Sequence, residues 1–179
     1  MGALRKEDFP HYTYDDYKHW EDQWELIDGI PYAMSPAPMI KHQKISNKIA
    51  RILDEELETC KTCHALLPVD WKITEDTIVQ PDNLVVCYEP EGAYITKAPI
   101  LIFEVLSKAT AKKDTTLKYA LYEQEGVKYY IIVNPDDEVA KVYKLKEGRY
   151  IKMLDATDEK ASFDLGKCEI EIDFSKLWK

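Results

Sequence analysis

Two short apolar runs dominate the hydrophobic pattern of the chain. The first is Val79-Gln80-Pro81-Asp82-Asn83-Leu84-Val85-Val86-Cys87, and the second is Ile100-Leu101-Ile102-Phe103-Glu104-Val105-Leu106-Ser107. Both are rich in β-branched residues, which predicts strands buried on both faces. Each carries one carboxylate where another Val or Ile would suit the pattern: Asp82 enters the first strand and Glu104 sits in the middle of the second. A buried carboxylate is costly unless a cation, a metal or strong donors stand beside it. If the strands are neighbours, the two acids converge on one patch. Two carboxylates plus substrate oxygens are a common way to hold magnesium, which keeps several waters in an octahedron of oxygens. Taken singly, Asp82 after Pro81 also reads as a turn residue, and Glu104 as the partner of a nearby lysine.

The remaining pattern surrounds these runs. Residues 12–20 predict a short helix capped by Thr13. Residues 25–35 predict a hairpin about Asp28-Gly29, with Pro31 marking an edge strand. Glu25 precedes that turn and reads equally as a third acid for the metal patch or as an exposed edge residue. After Ser35-Pro36-Ala37-Pro38 an amphipathic helix should run to about Thr59, burying Ile45, Ile49, Ile52, Leu53 and Leu57. His42 falls on the inward side of that stripe. Lys41, Lys44, Lys48 and Arg51 share one flank, compatible with an ordinary solvated face or with a rail for phosphates. Residues 65–73 and 78–87 predict a strand pair, and Asp70 is an acid embedded in it, a supporting or an edge residue. Thr110 should cap one helix over Ala111–Gln124, closed by Gly126, with Leu117, Ala120, Leu121 and Gln124 inward and Lys118 beside them. A parallel strand at 128–133 completes a βαβ crossover, followed by an antiparallel meander to residue 172.

Composition narrows the classes. A chain of 179 residues fits a single domain, here 1–179, and its apolar share of 45% is ordinary for a globular protein. No run approaches the roughly 18 apolar residues of a membrane span, and the N-terminus lacks a signal-peptide core, so a cytoplasmic location is expected. The net charge of −9, from 24 basic and 33 acidic residues, weighs against broad nucleic-acid affinity. The acids, however, concentrate between Asp155 and Asp173. Cys60-Lys61-Thr62-Cys63-His64 matches the C-x-x-C-H haem-attachment pattern, but the missing export signal argues against haem. Zinc would need two further ligands, and Cys87 and Cys168 form no second pair in the sequence, so reduced thiols near a helix end are expected.

Two acid-bearing strands, a crossover helix with a lysine and a parallel strand resemble the core of the PD-(D/E)XK nuclease superfamily. More narrowly, the chain is similar to the Uma-two family of restriction-endonuclease-like proteins. The matching stretches are Tyr12–Tyr17, Glu25–Gly29, Met34–Pro38, His42-Gln43, Val79–Val86, Ala98–Ser107 and Lys118–Pro135. The resemblance implies an α/β (α+β) fold: a mixed central sheet flanked by helices, with an N-terminal hairpin and a C-terminal meander. It also implies metal ligands at Asp82 and Glu104 for Mg2+ or Mn2+. The superfamily's lysine, two residues after the second acid, is Leu106 here, and the family's displaced lysine falls at Lys118; Lys108 is the weaker substitute. The chain has Ser107-Lys108-Ala109-Thr110 where the family has Ser-Pro-Ser-Thr, and Asn134-Pro135 where it has Asp-Pro. A metal-dependent DNA endonuclease follows, with Asp82, Glu104 and Lys118 catalytic and Glu25, His42, Asp70 and Gln80 supporting. A homodimer would cut both strands. The rival expectation is a non-catalytic nucleic-acid or protein binding module on the same scaffold.

Overall fold

The computed structural model describes residues 4–34 and 39–179. The expected entry of the long helix at Ser35–Pro38, and with it most of the Met34–Pro38 match, lies outside the described residues.

A short helix α1 (Tyr14–Tyr17) begins at Thr13, whose backbone N–H donates to the Asp16 carboxylate at 2.9 Å. It leads into β1 (Trp24–Ile27) and β2 (Ile30–Ala33). Their two-residue turn places Asp28 at φ 51° and Gly29 at φ 76°, the left-handed pair that matches strand twist. α2 (Ile40–Glu56) buries Ile45, Ile49, Ile52 and Leu53 along one stripe.

The two long strands expected from residues 65–73 and 78–87 are each broken in two. The pieces are β3 (His64–Leu66), β4 (Asp70–Thr74), β5 (Thr77–Val79) and β6 (Asn83–Val86). Pro68 and Pro81 stand in the breaks, where a residue without an N–H cannot continue a ladder. The halves then join different sheets. β4 and β5 pair in a five-stranded sheet ordered β2-β1-β5-β4-β7, with β7 at Tyr94–Ile95. β3 and β6 pair in a six-stranded sheet ordered β11-β10-β9-β8-β6-β3. Here β8 is Leu101–Val105, β9 Tyr129–Asn134, β10 Val139–Lys146 and β11 Arg149–Ala156.

β6 and β8 are antiparallel neighbours, Asn83 opposite Phe103, and β8 runs parallel to β9, as a crossover requires. The single crossover helix is instead two helices, α3 (Ala111–Thr115) and α4 (Leu117–Glu125), broken at Thr116. Gly126, at φ 81°, ends the second. The expected meander holds for β9-β10-β11. The last two strands, β12 (Lys160–Asp164) and β13 (Glu169–Asp173), form a separate hairpin, and β12 lies where no strand was expected.

The six-stranded sheet is covered on both faces. Leu101, Phe103, Val105 and Ile131 face α2 and the final hairpin, through residues such as Ile49, Phe163 and Ile172. Ile102, Tyr130 and Ile132 face the other way, packing with Tyr122 of α4 and with Trp71 and Val79 of the five-stranded sheet. Strand alternation puts Glu104 on this second face. No helix among the described residues is long and apolar enough to cross a membrane.

Candidate active site

The stripe that α3 and α4 bury is Asp114, Lys118 and Tyr122, spaced i, i+4, i+8. This corrects the expected inward face. Leu117 is 41% exposed, Ala120 and Gln124 are exposed and Leu121 is half-buried, because the helix turns its polar stripe toward Glu104. A helix does this only where the buried groups satisfy one another. Lys118 Nζ lies 2.8 Å from Glu104 Oε1, 2.8 Å from Glu25 Oε2 and 4.0 Å from Asp114 Oδ1. The Tyr122 hydroxyl donates to the same Glu104 oxygen at 2.8 Å and is held in place by rings of Trp71 and Tyr130.

Glu25 is fully buried on β1, where the hairpin turn aims it into the core. Lys113 Nζ sits 2.6 Å from its Oε1, and the Gln80 backbone N–H donates to its Oε2 at 2.7 Å. Asp82 stands at the Pro81 break, just before β6. Its Oδ2 accepts the Val105 N–H at 2.8 Å and contacts His42 Nε2 at 3.2 Å. His42 projects from the first turn of α2, and its Nδ1 is buried without a hydrogen-bond partner among the described residues. Glu25, His42, Asp82, Glu104, Asp114 and Lys118 line one cavity of about 580 Å³.

The electrostatics follow from crowding four carboxyls around few cations. Burial pushes Glu104 well above the usual carboxylate range; Lys118 opposes this, while Asp82, Asp114 and Glu25 add to it. Asp114 is pushed up to about 6, again chiefly by burial. Burial also acts on Glu25, but the Lys118 and Lys113 ammoniums outweigh it and hold that carboxyl low. Asp82 is likewise lowered, its burial outweighed by His42, and His42 is raised in return. Burial works against the Lys118 charge, yet Glu104, Glu25 and Asp114 drive its affinity for the proton well above ordinary. Lys118 is therefore an ammonium at neutral pH. Carboxylates in excess of ammoniums, all offering hard oxygens to one cavity, form a donor set of the kind that holds a hard divalent cation.

The other expected residues divide. Gln80 reaches the cluster through its backbone N–H, while its side-chain amide donates to Asp70 at 2.7 Å. Asp70 faces away from the cluster: it accepts from the Tyr17 hydroxyl at 2.8 Å and lines a separate, smaller cavity with Trp24. Lys108 is exposed in the loop beyond β8. Lys41 pairs with Asp136 at 3.1 Å and Arg51 with Glu55 at 3.1 Å; Lys44 is exposed and Lys48 half-buried. Lys113, Asp114 and Tyr122 were not singled out from the sequence. The available signal was the i, i+4, i+8 placement of Asp114, Lys118 and Tyr122, which only the observed orientation makes informative.

Comparisons with known proteins bear on the family and the fold. No curated protein matches the chain. A solved structure described as a putative nuclease belonging to DUF820, from Anabaena variabilis ATCC 29413, superposes with a TM-score of 0.77. It covers 93% of this chain and 97% of its own, at 18% identity, and so shares the fold. The family profile Uma2, described as putative restriction endonuclease, matches residues 12–166. That span runs from the first aromatic helix into the final hairpin and contains every residue of the cluster, and on it the chain belongs to the Uma2 family.

Proposed function

We propose that the protein is a divalent-metal-dependent endonuclease that hydrolyses phosphodiester bonds in DNA. The observation that carries the reading is one cavity into which Asp82, Glu104, Glu25 and Asp114 converge, with Lys118 bridging two of them. Asp82 and Glu104 are the residues to hold Mg2+ or Mn2+, with Glu25 contributing. A bound ion would supply a water of lowered pKa and neutralise charge on the scissile phosphate. The chain's own groups fix that arrangement: Val105 N–H and His42 orient Asp82, Tyr122 orients Glu104, and the Gln80 N–H orients Glu25. Because Lys118 is protonated, it donates rather than abstracts: it orients the attacking water or stabilises charge building on the phosphorane. On the helix that carries His42, Lys44 and Lys48 supply phosphate contacts, flanked by Lys41 and Arg51, whose charges are shared with Asp136 and Glu55. Cutting both strands needs two such centres, so the reading includes a homodimer. The edge strand β11, with Ile151 and Met153 exposed, supports pairing between copies.

Asp82→Ala should abolish metal-dependent cleavage of duplex DNA while leaving the circular dichroism spectrum unchanged. Cleavage at the wild-type rate in that purified variant rejects the assignment. The net charge of −9 favours a second reading, a non-catalytic binding module. Calorimetric titration with Mg2+ or Mn2+ separates the two: no heat of binding, or heat unaffected by Glu104→Gln, supports the module.

A further inference from the structure

The sequence contains C-x-x-C at Cys60 and Cys63 and two isolated cysteines, Cys87 and Cys168. Folding gathers all four. Cys60 and Cys63 lie in the turns that follow α2, where the Cys63 N–H donates to the Cys60 carbonyl. Cys87 immediately follows β6, and Cys168 sits in the turn joining β12 to β13. They are joined as Cys60–Cys168 and Cys63–Cys87, which corrects the expectation of reduced thiols. The bonds span 108 and 24 residues of sequence, so no local pattern could signal them.

The two disulfides are not independent. Cys168 Sγ lies 3.9 Å from Cys63 Sγ, across the pair, and the sulfurs of Cys60, Cys63 and Cys168 all fall within 4.8 Å of one another. Cys87 is bonded to one of these three, so it completes the set. Four thiolates around zinc, with Zn–S near 2.3 Å, form a tetrahedron whose edges are about 3.8 Å. The contact between the disulfides already has that length. Cys60 and Cys63 are buried at 6% and 4% exposure, with Cys87 and Cys168 packed against the same core. All four donors are soft sulfur, which selects zinc over the hard cations suited to the carboxylate cavity.

We propose that the reduced chain binds one zinc ion through Cys60, Cys63, Cys87 and Cys168. Reduction of each disulfide takes two electrons and two protons. With a trialkylphosphine, water supplies the protons and its oxygen ends on the phosphine oxide. Zinc then displaces the four thiol protons and ties the end of α2, the end of β6 and the C-terminal hairpin to one point. This centre is separate from the carboxylate cavity: Asp82 and Cys87 flank β6 at opposite ends, roughly 16 Å apart along an extended strand.

The test uses the full chain, reduced with a phosphine, stripped with a chelator and then desalted after addition of Zn2+. One zinc per chain should be retained, and alkylation of the four thiols, followed to completion, should be many-fold slower with zinc than without it. Co2+ in place of zinc should give a thiolate-to-cobalt charge-transfer band. Cys168→Ser, at the half-buried cysteine of the hairpin turn, should lose the ion on desalting, whereas Asp82→Ala should retain it. Should a serine variant fail to fold, alkylation and the cobalt spectrum of the wild type decide alone. An equal rate of alkylation to completion with and without zinc, a cobalt spectrum lacking the sulfur band, or zinc lost through Asp82→Ala but kept by Cys168→Ser would each overturn the proposal.

Discussion

Lys118 does the electrostatic work of the cluster, and its neighbours show what that work leaves undone. Its ammonium touches Glu104 and Glu25 at 2.8 Å but stands 4.0 Å from Asp114, so Asp114 is compensated least directly. Burial pushes that carboxyl up to about 6 from an ordinary 3.8. A folded state that holds the proton more tightly than the unfolded one gains stability at low pH. The contribution is fully present below about pH 4 and is lost as pH rises through 6. Asp114→Asn removes the titration. With divalent ions chelated, its unfolding free energy relative to wild type should therefore rise between pH 4 and pH 7 by roughly 1–3 kcal/mol. Urea unfolding at the two pH values measures this; a flat difference would mean that Asp114 is ionised without penalty. Asp82 and Glu104 were legible in the sequence because each interrupts an apolar run. Asp114 was not, because it follows Lys112 and Lys113 at the start of a helix, where an acid is ordinarily a surface residue.

At the scale of elements, the rotation of α4 decides which side chains matter. Periodicity alone favoured burying Leu117 and Leu121, and the structure instead buries Lys118 and Tyr122. The helix break at Thr116 lets the turn bearing Lys113 and Asp114 reach Glu25 and the cavity, while α4 keeps Lys118 over β8. The two faces should respond oppositely to substitution. Leu117→Gln should change stability by less than about 0.5 kcal/mol, as surface substitutions do. Tyr122→Phe removes a donor from a buried carboxyl and should cost about 1–3 kcal/mol. Thermal melts of the two variants give the comparison, and the reverse order would mean that Leu117 is the buried position. The β1–β2 hairpin is the opposite case. Asp28-Gly29 specified it locally, and its two-residue turn fixed where Glu25 points.

For the whole molecule, the proposed function requires a chain of net charge −9 to meet a polyanion. The flank of α2 offers a local answer. Lys41 and Arg51 already face acids, so Lys44 and Lys48 carry the charge most available to phosphate. In an Asp82→Ala background, Lys44→Ala with Lys48→Ala should weaken duplex binding evenly across sequences. The slope of log affinity against log salt should fall by roughly 1 per lysine removed. Fluorescence anisotropy at several salt concentrations reads this directly; an unchanged slope places the DNA elsewhere. Most of the architecture was legible in advance. The hairpin, the α2 stripe, the β8–β9 crossover and the two embedded acids all follow from short-range patterns of burial and turn chemistry. Such patterns are local and survive being read one segment at a time. Other features depended on contacts between distant segments: the splitting of two strands between sheets, the burial of Asp114, the turning of Asp70 toward Tyr17 and the gathering of four cysteines. No single stretch of sequence encodes where a partner from 24 or 108 residues away will arrive. Packing of the sheets and helices around one core decided those.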